Sequence, residues 1–381
     1  MKRPLGNGPS RSPLGVLLYR AGLTEGALLA WAGTRRLSAL ALHQKALAAK
    51  PVTPASAALA LFVAGVDISL AQAERLFGES FLRDVAGNHA TPEHFPELAN
   101  DTHAGATRAA ADARTMRDAA SIRSLGLTGP WLVDITGDRV RASVSILPLE
   151  RAWVVCDRLD APDNPDRLPW PDDSSYHLAS AIPVQRHSRW IDLATGNGFV
   201  PLARREVATR VIGVDLNPRA ISYAFLSQNI SDVSLAASEL RQGDIASPLA
   251  ATASLVTCNA PIIGDPDQAI WRRADRDFFI RMRSTARRHV EPGGDIIVHS
   301  TLDAMPVEKG AVTDELPGEV AIVVYTPPGI RAYGVMWWSP DKAQRRAVGY
   351  RELTAARPHL DPRDRTDVLA GTLPPLNAGQ V

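Results

Sequence analysis

Trp190-Ile-Asp-Leu-Ala-Thr-Gly-Asn-Gly198 decides the fold, because four residues of strand character run straight into a turn of small residues that opens a helix at Phe199-Val-Pro201. Such a turn lets backbone N–H groups and a helix N-terminus meet a ligand. A dinucleotide site needs a third small residue for close helix–strand packing, and Phe199 stands there, which disfavours a pyrophosphate ligand. Working outward, strand character returns at Arg210–Asp215, Ser254–Cys258 and Asp295–His299, with helical stretches between. That alternation predicts an α/β fold with a doubly wound, mostly parallel sheet covered on both faces. Glu319–Tyr325 and Ala332–Trp338, separated by a turn at Pro327–Gly329, read as a final antiparallel pair.

Upstream the pattern differs. Residues 1–13 are rich in Gly, Pro, Ser and basic residues and read as a flexible tail. Apolar residues then recur at helical spacing, among them Leu28, Leu37, Leu40, Leu42 and Ala57–Phe62, and helices are expected to about Leu127. Gly137-Asp138 introduces Val140–Ile146, which with Ala152–Cys156 reads as a hairpin, so residues 14–159 are expected to form a mainly helical, winged-helix-like domain ending in a β-hairpin. Asp160–Asp173 holds four prolines and five aspartates and reads as an exposed linker, leaving 174–381 as the second domain.

The 381 residues are 45% hydrophobic and 22% charged, which excludes a wholly disordered or coiled-coil chain. A formal net charge of +1 gives no strong overall field for nucleic acid or an anionic membrane. Apolar runs fall far short of a bilayer span, and no secretory leader is read, so a cytoplasmic protein is expected. Cys156 and Cys258 stand far apart without nearby ligand pairs, so neither a disulfide scaffold nor a metal site is expected. Basic clusters at 271–276, 281–288 and Arg345-Arg346 are interleaved with acids and read mainly as solvated helix faces.

Asp215 closes the second strand of the alternating region, where a carboxylate can accept from both hydroxyls of a ribose. Asp244 in Gln-Gly-Asp-Ile falls at a third strand end and can accept from an exocyclic amine. Taken in order, Asp-Leu-Ala-Thr-Gly-Asn-Gly, Val-Asp-Leu-Asn-Pro, Gly-Asp-Ile and Cys-Asn-Ala-Pro-Ile resemble the successive motifs of class I S-adenosylmethionine-dependent methyltransferases. The upstream module is similar to an N-terminal region of some actinobacterial members with an Asn-Pro-Pro-aromatic signature. The resemblance implies a seven-stranded Rossmann-like sheet and S-adenosyl-L-methionine as cofactor. It places the cofactor against Asp192, Ala194, Thr195, Gly196, Gly198, Asp215, Leu216, Asp244, Ile245 and Asn259. Ala194 stands for the first glycine of the usual motif, and Ala260 and Ile262 for a proline and an aromatic.

In such relatives the Asn and the next backbone carbonyl hold a nitrogen to be methylated, and the ring stacks on a planar group. Asn259-Ala260-Pro261-Ile262 keeps the polar half. A missing platform worth about 1–3 kcal/mol per base disfavours a nucleobase acceptor. The acceptor-binding set is Tyr176, His177, Asn259, Ala260, Pro261, Ile262 and Trp337, and Asn259 and His299 are the candidate catalytic residues, the latter as a base if the acceptor is a hydroxyl. The expectation is methylation of a small molecule or peptide at nitrogen, as in natural-product biosynthesis. The alternatives are an RNA or protein methyltransferase of the same fold, or a degenerate binding module.

Overall fold

A computed structural model describes residues 13–33, 53–79, 82, 132–150, 152–162, 164–231, 238–247, 249–264, 269–272, 274–313, 315–327 and 331–377. The tail expected over residues 1–13 (except Pro13, which begins a helix), most of the helical stretch to Leu127, including Leu37, Leu40 and Leu42, and the turn residues Pro328 and Gly329 lie outside them. Two compact units emerge, one of 1–162 with 222–234 and the other of 163–221 with 235–381.

The first unit contains α1 (Pro13–Arg20), α2 (Glu25–Ala32), α3 (Pro54–Ala58, continuing as a π-turn over Leu59–Val63), β1 (Ile68–Ser69) and α4 (Leu70–Phe77). Thr24 and Thr53 start α2 and α3 by accepting from Ala27 N–H at 3.2 Å and Ser56 N–H at 3.1 Å. Strands β2 (Val133–Thr136) and β3 (Arg139–Ala142) join β1 in a three-stranded sheet of order β1-β3-β2, while β4 (Ser145–Leu149) pairs with β5 (Ala152–Cys156). The expected single strand Val140–Ile146 is therefore two, divided at Ser143-Val144. The reason is burial: β3 alternates buried Val140 and Ala142 with exposed arginines, whereas Ser145, Ile146 and Leu147 are all buried and demand cover on both faces. Arg158, itself buried, braces this region by donating to the carbonyls of Gly65 and Ala142 at 2.7 Å each.

On its other edge β5 meets hydroxyls. Trp153 N–H donates to Ser231 Oγ at 2.8 Å and Val155 N–H to Ser227 Oγ at 2.9 Å. Tyr223 adds a bond from its hydroxyl to Asp157 at 2.9 Å.

The second unit is built on an eight-stranded sheet. Its strands are β6 (Trp190–Leu193), β7 (Val211–Asp215), β8 (Glu239–Gln242), β9 (Ala253–Asn259), β10 (Val290–Thr301), β13 (Glu319–Tyr325), β14 (Tyr333–Ser339) and β15 (Arg345–Tyr350), and β11 (Val307–Glu308) with β12 (Ala311–Val312) forms a small hairpin apart from it. The order is β15-β13-β14-β10-β9-β6-β7-β8, and β14 alone runs against the rest. Helices α5 (Asp173–Ala181), α6 (Phe199–Ala203), α7 (Pro218–Ser231), α8 (Arg276–His289) and α9 (Pro362–Leu369) connect the strands, the end of α7 being counted with the first unit. The chain steps outward from β6 to β8 and returns to β9 on the other side of β6. That reversal opens a crevice at the carboxyl ends of the strands.

Seven strands were expected and β15 is the eighth. Arg345-Arg346 thus begins an edge strand rather than a helix face. Basic residues belong on such an edge, where they deter pairing with another chain, and Arg346 also donates to Leu316 O at 2.9 Å. The α8 arginines do read as a solvated face, with Arg283 and Arg287 pairing with Glu315 and Asp341 at 3.2 Å each. No described helix is long and apolar enough to cross a membrane.

The segment before α5 is irregular, as its prolines require, but it is packed in part rather than exposed. Leu168 and Trp170 are buried, Pro165 O accepts from Ile270 N–H at 2.8 Å, and Asp166 O accepts from Asn217 Nδ2 at 2.8 Å. Proline forbids a ladder without forbidding burial. In limited proteolysis, residues 164–172 should therefore outlast exposed loops of the chain, and early cleavage within them would contradict this packing.

Candidate active site

The turn after β6 has three residues with left-handed backbone, Ala194 (φ 52°), Gly196 (φ 57°) and Gly198 (φ 77°). The turn presses on β7 so closely that a Cβ on Gly213 would lie 3.0 Å from the Thr195 methyl and 2.9 Å from Leu240 Cδ2, so a larger residue there would have to displace one or both side chains. Thr195 N–H donates to Val214 O at 3.0 Å, and Gly196 N–H to Asp215 Oδ2 at 2.7 Å. Asp215 Oδ1 accepts from Asn217 N–H at 2.8 Å. Each oxygen of this buried carboxylate thus receives one backbone donor and keeps a lone pair for a ligand hydroxyl. Burial raises its pKa, and those backbone bonds oppose the rise.

Asp192 lies beneath the turn. Its Oδ1 accepts from Thr257 at 2.5 Å and its Oδ2 from Thr195 at 2.7 Å. Burial nevertheless lifts its pKa from 3.8 to about 6, against the pull of the two hydroxyls and with a small push from the Asp215 charge. The folded form therefore gains stability from a protonated Asp192 that is fully present below pH 3.8 and is lost as pH rises through about 6. Asp192→Asn, neutral throughout, should stabilise the cofactor-free protein at pH 8 by up to about 3 kcal/mol and at pH 5 by about half as much. Thermal melts of both proteins at the two pH values check this, and an equal effect at both would refute it.

Asp192, Ala194, Thr195, Gly196, Asp215, Leu216, Asp244, Ile245, Asn259, Ala260, Pro261, Ile262 and His299 all line one cavity of about 470 Å³ at the carboxyl ends of the strands. Gly198 is not in its wall and serves instead as the N-cap of α6. Asp244 is exposed, with Oδ1 accepting from Ala246 N–H at 2.8 Å, and Ile245 is buried beside it.

Three expected acceptor contacts lie elsewhere. Trp337 is fully buried in the core, its indole N–H donating to Ala181 O at 3.0 Å. His177 is fully buried too, its Nδ1 accepting from Leu360 N–H at 3.0 Å and its ring centroid 4.0 Å from that of Tyr325. Tyr176 stacks on His359 at 5.6 Å and meets Phe199 edge-on at 4.7 Å. Trp337 and His177 are packing residues by their surroundings, whereas Tyr176 is half-buried and sits behind Phe199 of the cavity wall.

The cavity wall also contains residues that sequence reasoning passed over: Trp170, Asp172, Ser174, Ser175, Phe278 and Tyr333. Asn217, likewise unread, lines the cavity and ties its wall together, its Oδ1 accepting from Arg219 N–H at 2.9 Å while its Nδ2 holds Asp166. An Asn directly before the first Pro of a helix was a legible signal for that role. Asp172-Asp-Ser-Ser was another, since Asp172 caps α5 by accepting from Ser174 N–H at 3.0 Å. Asn259 Nδ2 donates to Ser174 Oγ at 3.0 Å and Ser175 Oγ at 3.2 Å, and Ala260 N–H to His299 O at 3.0 Å. His299 Nε2 is 2.9 Å from the Tyr325 hydroxyl, and burial drives the pKa of the ring down to about 3.

The walls fit S-adenosylmethionine. A side chain on Gly196 would project into open space, so the backbone there leaves room for a ligand, and Asp215 offers lone pairs for a ribose. Residues 170–314, under half of the chain, match the family model described as Methyltransferase small domain. No curated protein matches the chain. Among solved structures, the YcgJ protein of Bacillus subtilis is 17% identical over 34% of this chain and 50% of its own, with a TM-score of 0.27. An RNA methyltransferase from Salinibacter ruber in complex with S-adenosyl-L-homocysteine is 18% identical over 46% of this chain and 95% of its own (TM-score 0.32). A predicted O-methyltransferase from Agrobacterium tumefaciens is 18% identical over 53% and 97% (TM-score 0.36). The chain thus spans half the length of the Bacillus protein and nearly all of the other two. The family match and the cavity fall on the same stretch, so residues 170–314 are similar to a methyltransferase domain, with a cavity whose walls fit S-adenosylmethionine.

Proposed function

We propose that the protein methylates a nitrogen of a small molecule or peptide, such as an intermediate of natural-product biosynthesis, in a cytoplasmic setting that suits its two buried, free thiols. The observation that carries this reading is the pairing of Asn259 with a very weakly basic His299. Both hydrogens of the Asn259 amide are engaged by Ser174 and Ser175, so the carbonyl oxygen is what this residue offers an acceptor's N–H. With its pKa at about 3, His299 is neutral and too weak a base to strip a proton from a hydroxyl. A neutral amine needs no such help. When bound, S-adenosylmethionine supplies an electrophilic methyl whose C–S electron pair passes to sulfur as the acceptor nitrogen attacks. The task of the chain is then to hold that nitrogen in line, which by itself supplies much of the acceleration. Asp192, Thr195, Gly196 and Asp215 are assigned to the cofactor, and Asp244 with Ile245 and Leu216 to its base.

A second reading is favoured by a specific feature. Trp170, Phe278 and Tyr333 line the cavity, so planar stacking does not depend on the ring missing at Ile262, and a flipped base of RNA has a platform. Incubation with methyl-labelled cofactor and fractionated cell extract separates the two. Label in the small-molecule or peptide fraction, stable to base, supports the first reading, and label confined to RNA overturns it.

A further inference from the structure

Tyr325 is buried with its hydroxyl directed at His299, and this contact makes a chemical decision that the rest of the site depends on. The phenol stays protonated, because burial and the charges of Asp172 and Asp173 push its pKa well above the ordinary value. Its O–H must therefore find an acceptor, and His299 Nε2 at 2.9 Å is its partner among the described residues. A nitrogen that accepts carries no hydrogen, so the proton of the neutral ring sits on Nδ1. The Tyr325 ring has little freedom to release its partner. His177 packs on it with centroids 4.0 Å apart, and His177 is itself held through Nδ1 by the Leu360 amide.

His299 and Asn259 are register partners on the parallel strands β10 and β9, so both side chains stand on one face of the sheet, about 5 Å apart, and both line the cavity. One offers a carbonyl oxygen and the other an N–H. We propose that His299, locked by Tyr325 in its Nδ1–H form, is a hydrogen-bond donor to the methyl acceptor, and that with Asn259 it selects a neutral amine beside a carbonyl, as in a glycinamide. Asn259 accepts an amine N–H, His299 donates to the carbonyl oxygen, the amine lone pair takes the methyl, and the ammonium so formed releases its proton to solvent. This rests on the assignment of Asn259 to the acceptor end of a methyltransferase cavity. Tyr325 is then a positioning residue, and the histidine orients the acceptor without taking its proton. An anionic acceptor fits poorly, since Asp172 lines the same end and helps raise the pKa of Tyr333 there.

Two measurements on the full chain test this. In protein labelled with 15N at histidine, long-range 1H–15N spectra at pH 7 should show His299 protonated at Nδ1 and bare at Nε2, and Tyr325→Phe should lose that fixed pattern. A wild-type ring protonated at Nε2 overturns the proposal. Saturation-transfer NMR at about pH 9 with S-adenosylhomocysteine present should detect binding of glycinamide, with N,N-dimethylglycinamide at least tenfold weaker and Tyr325→Phe weakening glycinamide by about tenfold. Calorimetry should give the same S-adenosylhomocysteine affinity for both proteins. If the cofactor product binds and glycinamide does not, or if glycinamide and its dimethyl derivative bind alike, the proposal fails. If the cofactor product itself does not bind wild-type protein, it is the underlying reading of the cavity that fails.

Discussion

Replacing Asp215 with alanine should weaken S-adenosylmethionine binding by roughly 10- to 150-fold, or about 1.5–3 kcal/mol. Two effects add. The ribose loses a charge-assisted pair, and the turn loses the carboxylate that receives Gly196 N–H at 2.7 Å and Asn217 N–H at 2.8 Å, leaving both amides without that partner. Asp215→Asn should fall between the two proteins, because its remaining oxygen can serve only one of those donors well. Isothermal calorimetry decides the matter. Unaltered affinity in the alanine variant would move the ribose away from β7.

The largest effect on turnover is expected at Asn259. Asn259→Ala should lower the methylation rate by about 100-fold or more while cofactor affinity stays within about threefold, because this side chain aligns the acceptor and does not grip the cofactor. Ser174 and Ser175 also lose the amide that they hold, at 3.0 Å and 3.2 Å. Asn259→Asp should be milder, since a carboxylate still accepts from an acceptor N–H and the serine hydroxyls can turn to donate to it. Turnover measured beside cofactor affinity in both variants is the check. An alanine variant with full activity would reduce Asn259 to a strand-end cap.

The alternating region was legible because parallel strands buried on both faces read as apolar runs, and the turns between them are short and chemically distinctive. Trp190–Leu193, Val211–Asp215 and Ala253–Asn259 lie within a residue of the stretches read from sequence. The eighth strand escaped because Arg345-Arg346 masks its pattern: an edge strand has one partner, and only Gly349 of β15 is buried. The segment over residues 164–172 was misread for a different reason. Proline and aspartate report what the backbone cannot do in a ladder or helix, and say nothing about Leu168 and Trp170, whose spacing of two turns both inward. The part of the cavity wall proposed for the cofactor comes from local motifs at strand ends, each visible in a few consecutive residues. The part proposed for the acceptor draws on residues far apart in sequence, such as Asn259, His299 and Tyr333, brought together by strand register that no local pattern encodes, with Ser174 added from a helix.

Helix α7 is numbered far beyond the amino-terminal stretch, yet Ser227 and Ser231 are counted with the first unit and complete its strand β5, standing in for a third strand at that edge. The first unit is consequently not one continuous stretch of chain. A recombination event with a single crossover between 159 and 173 would carry the hairpin away from the hydroxyls that receive two of its amides, and each product would inherit half of an interaction. Exchange of the amino-terminal module among relatives must then bring its matching helix segment with it, so the two stretches are expected to descend together, as one heritable unit written in two separate places.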